Sequence, residues 1–201
     1  MFLHMEKENL VWHKGKVEYE DRCKVINQKG LVIWLTGISG SGKSTIAVEL
    51  EKELTRIGKL VYRLDGDNVR QGLCSDLGFS EEDRNENIRR ISEVAQLFKD
   101  AGIITLVSFI SPLKSMRKSA KDKIGDDSFV EVYVKASVET CIKIDPKGMY
   151  KKALAGQIKN FTGISATYES PENPDIVIDT ENLTIDESVI IILNHIKKYI
   201  E

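Results

Sequence analysis

From Gly30 onward, short apolar runs alternate with longer stretches in which apolar residues recur every three or four positions. That is the pattern of βαβ units, in which strands are buried and each helix covers the sheet with one stripe. Leu31-Val32-Ile33-Trp34-Leu35, bounded by glycines, predicts a buried central strand. Ile46, Leu50, Leu54 and Ile57 then share a helix face that stops at Gly58, a residue suited to a C-cap. Leu60 to Leu64 predicts a second strand ending at Asp65. Ser80 and Asp83 have capping-box spacing, and Ile88, Ile91, Ala95 and Phe98 continue as a helix face up to Gly102. Ile103 to Ile110 predicts a third strand stopped by Pro112, a basic helix follows over Leu113 to Ile124, and Phe129 to Val134 predicts a fourth strand. Ser137 caps the next helix, Asp175 to Ile178 predicts a fifth strand, and Thr184 with Glu187 opens a C-terminal helix running to Tyr199. Between them, residues 145–170 are rich in Lys, Gly and polar side chains, and no buried element is legible there.

Residues 1–29 are polar and weakly patterned, with Trp12, His13 and Tyr19 as anchors, and read as an N-terminal extension packed on a domain spanning 30–201. With 201 residues the chain is long enough for one core and short for two. A net charge of -2 gives no basic excess for bulk nucleic-acid binding, so any polyanion site must be local. Cys23, Cys74 and Cys141 lie far apart, which suggests neither a zinc site nor a disulfide framework and suits a reducing, cytoplasmic setting. His4, Glu6, Lys7 and Glu8 interrupt any secretory h-region, and no apolar run approaches the ~18 residues a membrane span needs.

One motif carries specific chemistry. Gly37-Ile38-Ser39-Gly40-Ser41-Gly42-Lys43-Ser44 matches G-x-x-x-x-G-K-[ST] at every fixed position, between a predicted strand and a predicted helix, and Thr45 follows. The glycines let backbone N–H groups turn toward phosphate oxygens, and the helix presents its positive end to the same charge. Lys43 would reach the β and γ phosphates and Ser44 would place its hydroxyl on Mg²⁺. A P-loop says nucleotide, not which reaction. The Asn-Lys-x-Asp segment that usually reads guanine in GTPases does not occur. Asp179, after Ile176-Val177-Ile178, is the cleanest match to the strand-end acid of a motor or ATPase, and reads better as a turn residue.

Residues 64–90 crowd acids, arginines and an aromatic just after the second strand. In open α/β sheets ligands bind beyond the carboxyl ends of strands, so Asp65, Asp67, Asn68 and Arg70 would face the P-loop across a cleft. An acid there can accept a hydroxyl proton or hold a metal's waters, while arginines clamp an anionic acceptor.

Seven segments in order resemble the adenylylsulfate kinase family from Val11-Trp12-His13 to about Pro171. They are G-I-S-G-S-G-K-S-T at 37–45, L-D-G-D-N-V-R at 64–70, D-L-G-F-S at 76–80, D-R-N-E-N-I-R-R at 83–90, S-F-I-S-P at 108–112, D-P-K-G-M-Y-K-K at 145–152 and I-K-N-F-T-G-I at 158–164. The resemblance implies transfer of the γ-phosphoryl of ATP, with Mg²⁺, to the ribose 3′-hydroxyl of adenosine 5′-phosphosulfate. It implies that Asp67, Asn68, Arg70, Arg84 and Asn87 hold the acceptor's ribose and phosphosulfate, and that Phe79 and Phe161 sandwich its adenine. Ile110 and Ser111 would line the pocket, and Lys147 and Asn160 would close it from a lid. The family's described phosphoserine intermediate would fall on Ser111. Direct in-line transfer, with Asp67 accepting the hydroxyl proton, fits these residues better, because no base adjoins Ser111 in sequence.

The resulting expectation is an α/β P-loop NTPase domain with a mainly parallel five-stranded sheet, helices on both faces and a mobile lid over 145–170. The family resemblance adds a homodimer and functional pairing with a separate ATP sulfurylase. Two positions depart from the family's pattern: Ile144 and Leu154 stand where arginines are common, which touches donor affinity. Leu113 and Lys114 are milder departures. Rival readings are a gluconate- or shikimate-type kinase, without stacking aromatics, and a non-catalytic nucleotide-binding module.

Overall fold

The computed structural model describes Val11 and residues 13–200; Trp12, expected as an anchor, lies outside the described residues together with 1–10 and 201. The chain order is α1 (Tyr19–Ile26), β1 (Leu31–Thr36), α2 (Lys43–Arg56), β2 (Val61–Asp65), α3 (Gly66–Val69), α4 (Glu81–Asp100), β3 (Ile104–Ser108), α5 (Lys114–Ile124), β4 (Phe129–Lys135), α6 (Val138–Ile144), α7 (Met149–Leu154), β5 (Ile176–Asp179) and α8 (Ile185–Ile200). The five strands form one sheet in the order β2-β3-β1-β4-β5, and every pairing is parallel.

β1 is central and buried at all six positions, as its unbroken apolar run demands. Its alternate side chains serve two cores. Leu31, Ile33 and Leu35 pack with Leu50 and Leu54 of α2 and Ile192 and Ile196 of α8. Val32 and Trp34 pack on the other face with Ile88, Ile91 and Ala95 of α4 and Met116 and Ala120 of α5. The helices therefore cover both faces.

The predicted N-caps form, Ser80 as a single cap rather than a reciprocal box, and the C-cap of α2 is Ile57 with Gly58 just beyond it. Asp83 N–H donates to Ser80 Oγ at 3.1 Å, Thr140 N–H to Ser137 Oγ at 3.1 Å, and Thr184 and Glu187 make a reciprocal box. Elsewhere the structure corrects the sequence reading. Ile57 is the C-cap of α2 and 48% exposed, because the helix face it was assigned to has already left the core. β3 stops at Ser108 rather than Ile110, and the remaining residues form a loop. The 145–170 stretch contains α7, with Tyr150 and Ala153 buried, and Phe161 and Thr162 are buried beyond it. Two inward positions in a six-residue helix are too few to show as periodicity. Helix α1 also went unread, since it buries none of its residues. It attaches through Arg22, which donates to the Asp100 carbonyl at 2.7 Å and pairs with its carboxylate at 2.6 Å, while Gly30 N–H donates to Tyr19 Oη at 3.1 Å. His13 is exposed.

Candidate active site

The loop between β1 and α2 needs its glycines for two reasons, lack of room at Gly37 and left-handed backbone at Gly40 and Gly42. A Cβ on Gly37 would sit 2.3 Å from the Val134 carbonyl oxygen, and Gly42, the residue before α2, has φ of +94°. Tyr150 of α7 pins the loop from outside, its hydroxyl donating to the Ser39 carbonyl at 2.8 Å. Lys43 is buried and donates to the Ile38 carbonyl at 2.7 Å. Burial lowers its pKa to about 8, while Cys141, Asp65 and Asp67 pull it back upward.

Two cavities open on this loop. The first, of about 350 Å³, is lined by Ser39 to Thr45 and by apolar side chains from both flanks, Ile144, Pro146 and Met149 on one and Leu183 and Ile185 on the other. The second, of about 160 Å³, is lined by Asp65, Asp67, Arg70, Phe79, Arg84, Asn87, Ile110 and Ser111. Ser39, Gly40, Lys43, Ser44 and Lys147 belong to the walls of both. A third cavity of about 320 Å³ adjoins the second across Phe79, Arg84 and Pro112, and Asn160 and Thr162 line it.

Most sequence-selected residues thus converge, with exceptions. Gly37 and Ile38 line neither of the first two cavities; they shape the loop, and Ile38 is buried in the cluster that holds Phe161 and Tyr150. Asn68, on the one-turn α3, is exposed and lines no cavity described here. Phe79 is 56% exposed at the second cavity's rim, with the Arg70 guanidinium 4.4 Å from its ring centroid. Phe161 is buried instead, edge-on to Tyr150 at 4.9 Å, and does not face Phe79 across the second cavity.

The second cavity brings two arginines together beside Asp65 and Asp67. Arg70 is fixed by the carbonyls of Leu77 and Gly78, and Arg84 by those of Phe79 and Asn160. Burial lowers the pKa of both guanidiniums, and Arg70 adds to the shift of Arg84, so the charges are held together at a cost that a bound anion relieves. Residues lining these cavities carry buried oxygens with no hydrogen-bond partner: Ser41 Oγ, Asn87 Oδ1 and, in the third cavity, Thr162 Oγ1. Asp65 Oδ2 lies 3.5 Å from Arg63 Nη1 as an ion pair. Orphaned polar atoms facing a cavity are what ligand atoms satisfy. Asp67 is exposed and ion-paired with Lys147 across the mouth.

Two contributors were not singled out in the sequence, although Ser108 opens the S-F-I-S-P segment. Ser108, at the end of β3 in register with Asp65, is buried with its hydroxyl 3.3 Å from Ser44 Oγ. Thr180 donates to the Ser41 carbonyl at 3.2 Å from beyond β5. Asp179 itself is at the edge of the sheet, paired with Lys135 at 3.2 Å and accepting from Glu181 N–H, so it is the turn residue the sequence favoured.

A P-loop that forms the shared wall of two cavities, one apolar-flanked and one lined by arginines and carboxylates, on a five-stranded parallel sheet, defines a P-loop kinase of small molecules. The chain belongs to the adenylylsulphate kinase family, whose model matches residues 29–179. It is 55% identical to the adenylyl-sulfate kinase of Staphylococcus epidermidis over 194 residues, 96% of this chain and 98% of that one. Among solved structures it resembles the Mycobacterium tuberculosis APS kinase CysC in complex with AMPPNP and APS, at 44% identity and a TM-score of 0.82, over 85% of this chain and 99% of that one. It also resembles a hexameric APS kinase from Thiobacillus denitrificans, at 33% identity and a TM-score of 0.63, over 85% of this chain and 29% of that one.

Proposed function

We propose that this chain transfers the γ-phosphoryl of ATP to the 3′-hydroxyl of adenosine 5′-phosphosulfate, giving 3′-phosphoadenylyl sulfate and ADP. The observation that carries the reading is the wall of Ser39, Gly40, Lys43 and Ser44 common to both cavities. A donor in the first cavity would present its terminal phosphate to an acceptor hydroxyl in the second. The ribose oxygen forms its bond to phosphorus as the bridging oxygen of ADP leaves, and the hydroxyl proton passes to a carboxylate. Asp67 is the group for that proton, with Lys147 holding it at the mouth. Lys43 neutralises charge on the transferred group, and Arg70, Arg84 and Asn87 hold the acceptor's anionic end.

For Mg²⁺, the Ser44 hydroxyl and the Asp65 carboxylate, whose Oδ2 also pairs with Arg63 at 3.5 Å, are hard oxygen donors beside the P-loop, the chemistry that ion accepts, and nucleotide phosphates would fill the remaining positions. When bound, it would neutralise phosphate charge. Residues 145–170 act as a mobile lid in this reading, supported by Lys147 in both walls and by the Arg84 contact to the Asn160 carbonyl. A cytoplasmic homodimer serving sulfate assimilation or activation, paired with a separate ATP sulfurylase, completes it. Among the described residues no helix is long and apolar enough to cross a membrane.

The test is ADP release measured with and without adenylylsulfate, beside gluconate and shikimate. Release that depends on adenylylsulfate supports the proposal. Nucleotide binding without release under any acceptor supports a non-catalytic module instead.

A further inference from the structure

Arg117 lines neither of the two cavities that meet at the P-loop, yet it is one of the most buried charges described, with 4% of its side chain exposed. It sits in the first turn of α5, and each part of its guanidinium is committed. Nη1 donates to the Ser111 carbonyl at 2.8 Å, Nη2 donates to the Glu169 carbonyl at 2.7 Å, and Nε pairs with Glu131 of β4 at 2.8 Å. The Tyr168 ring lies 5.9 Å from its centre.

The loop it grips is the wall of the second cavity. Ser111 has φ of +39°, a conformation a residue with a β-carbon adopts only where its surroundings impose it. Three successive carbonyls of that loop are each taken by a donor. Thr36 Oγ1, which also contacts Tyr168 Oη, donates to Ile110; Arg117 donates to Ser111; and Glu169 N–H donates to Pro112. Glu169 closes the circuit by accepting from Lys114 N–H at 2.7 Å. The acceptor wall is thereby fastened to Tyr168 and Glu169, near the end of the 145–170 stretch. A buried ion pair is a poor source of net stability, since well-packed apolar groups of the same volume often do as well. What this one supplies is a fork that fixes two backbone carbonyls from different segments at once.

We infer that Arg117 is a positioning residue for the acceptor, setting the Ile110–Pro112 wall against which the acceptor seats; the inference rests on the kinase reading above. Arg117→Lys keeps the charge opposite Glu131 but cannot bridge both carbonyls. It should raise KM for adenylylsulfate about tenfold or more, the scale of one lost charge-assisted hydrogen bond, with KM for ATP within about twofold of wild type, as a change confined to one cavity requires. Glu131→Gln keeps the fork and should lower Tm while leaving both KM values near wild type. If Arg117→Lys does not fold, Arg117→Gln/Glu131→Gln replaces the ion pair by neutral hydrogen bonds, and the same selective rise is expected. A fall in Tm with neither KM altered, or an equal rise in both, overturns the inference. Wild-type turnover with adenylylsulfate, measured first, reports separately on the kinase reading.

Discussion

The indole N–H of Trp34 donates to Ser111 Oγ at 3.0 Å, joining the central strand to the acceptor wall through two buried side chains. The Ser111 hydroxyl's other partner is the Phe109 carbonyl at 3.4 Å, and neither partner is a base able to activate a nucleophile. Direct in-line transfer is therefore expected. Ser111→Ala should keep measurable turnover, with a stability loss of about 1–3 kcal/mol from the orphaned indole N–H, whereas Asp67→Ala should lose about a hundredfold or more. A phosphoenzyme trapped from labelled ATP and chased into product at the turnover rate would falsify the direct route.

Lys43 leads to a proton-linked binding experiment. Its pKa is lowered to about 8 from 10.5 by burial, and bound phosphates favour the ammonium form. Nucleotide binding should take up a proton as pH rises above about 8, and affinity should fall through the same range. The unfolded chain holds more protons than the folded one between about 8 and 10.5, so this group's contribution to stability increases with pH over that window. Titration calorimetry in buffers of different ionisation enthalpy reads the uptake. Lys43→Met should abolish it, keep the fold, and cost about 10²–10³ in turnover.

Arg70→Ala and Arg84→Ala should weaken adenylylsulfate binding by about 1.5–3 kcal/mol each, the loss of a charge-assisted contact. ATP affinity should change little, because both arginines line the second cavity and not the first. Equal losses for both substrates would indicate a collapsed loop rather than a lost contact.

Ile144 and Leu154 separate on structural grounds although both are exposed. Ile144 lines the donor cavity, and Leu154, in the last turn of α7, does not. Ile144→Arg should lower KM for ATP several-fold, on the order of one exposed ionic contact, and Leu154→Arg should leave it unchanged. The opposite ranking would place the donor phosphates nearer α7 than the cavity suggests.

The amino-acid sequence by itself determined the sheet, its flanking helices and the phosphate loop. A strand buried on both faces needs an unbroken apolar run, a covering helix needs a stripe, and a loop whose Gly37 Cβ would strike a carbonyl needs glycine. Those demands are local, so Leu31–Leu35, the α4 face and Gly37–Ser44 could be read directly. The sequence also selected most of the acceptor cavity, from Asp65 to Ser111, through segments whose order is specific. It could not show α7, with two inward residues, or α1, with none. Nor could it show that Phe161 packs on Tyr150, that Ser108 meets Ser44, or that Arg117 grips Ser111 and Glu169 together. Those contacts, between positions 6 to 64 residues apart, depend on side-chain direction and burial, and only the folded chain fixes which groups meet.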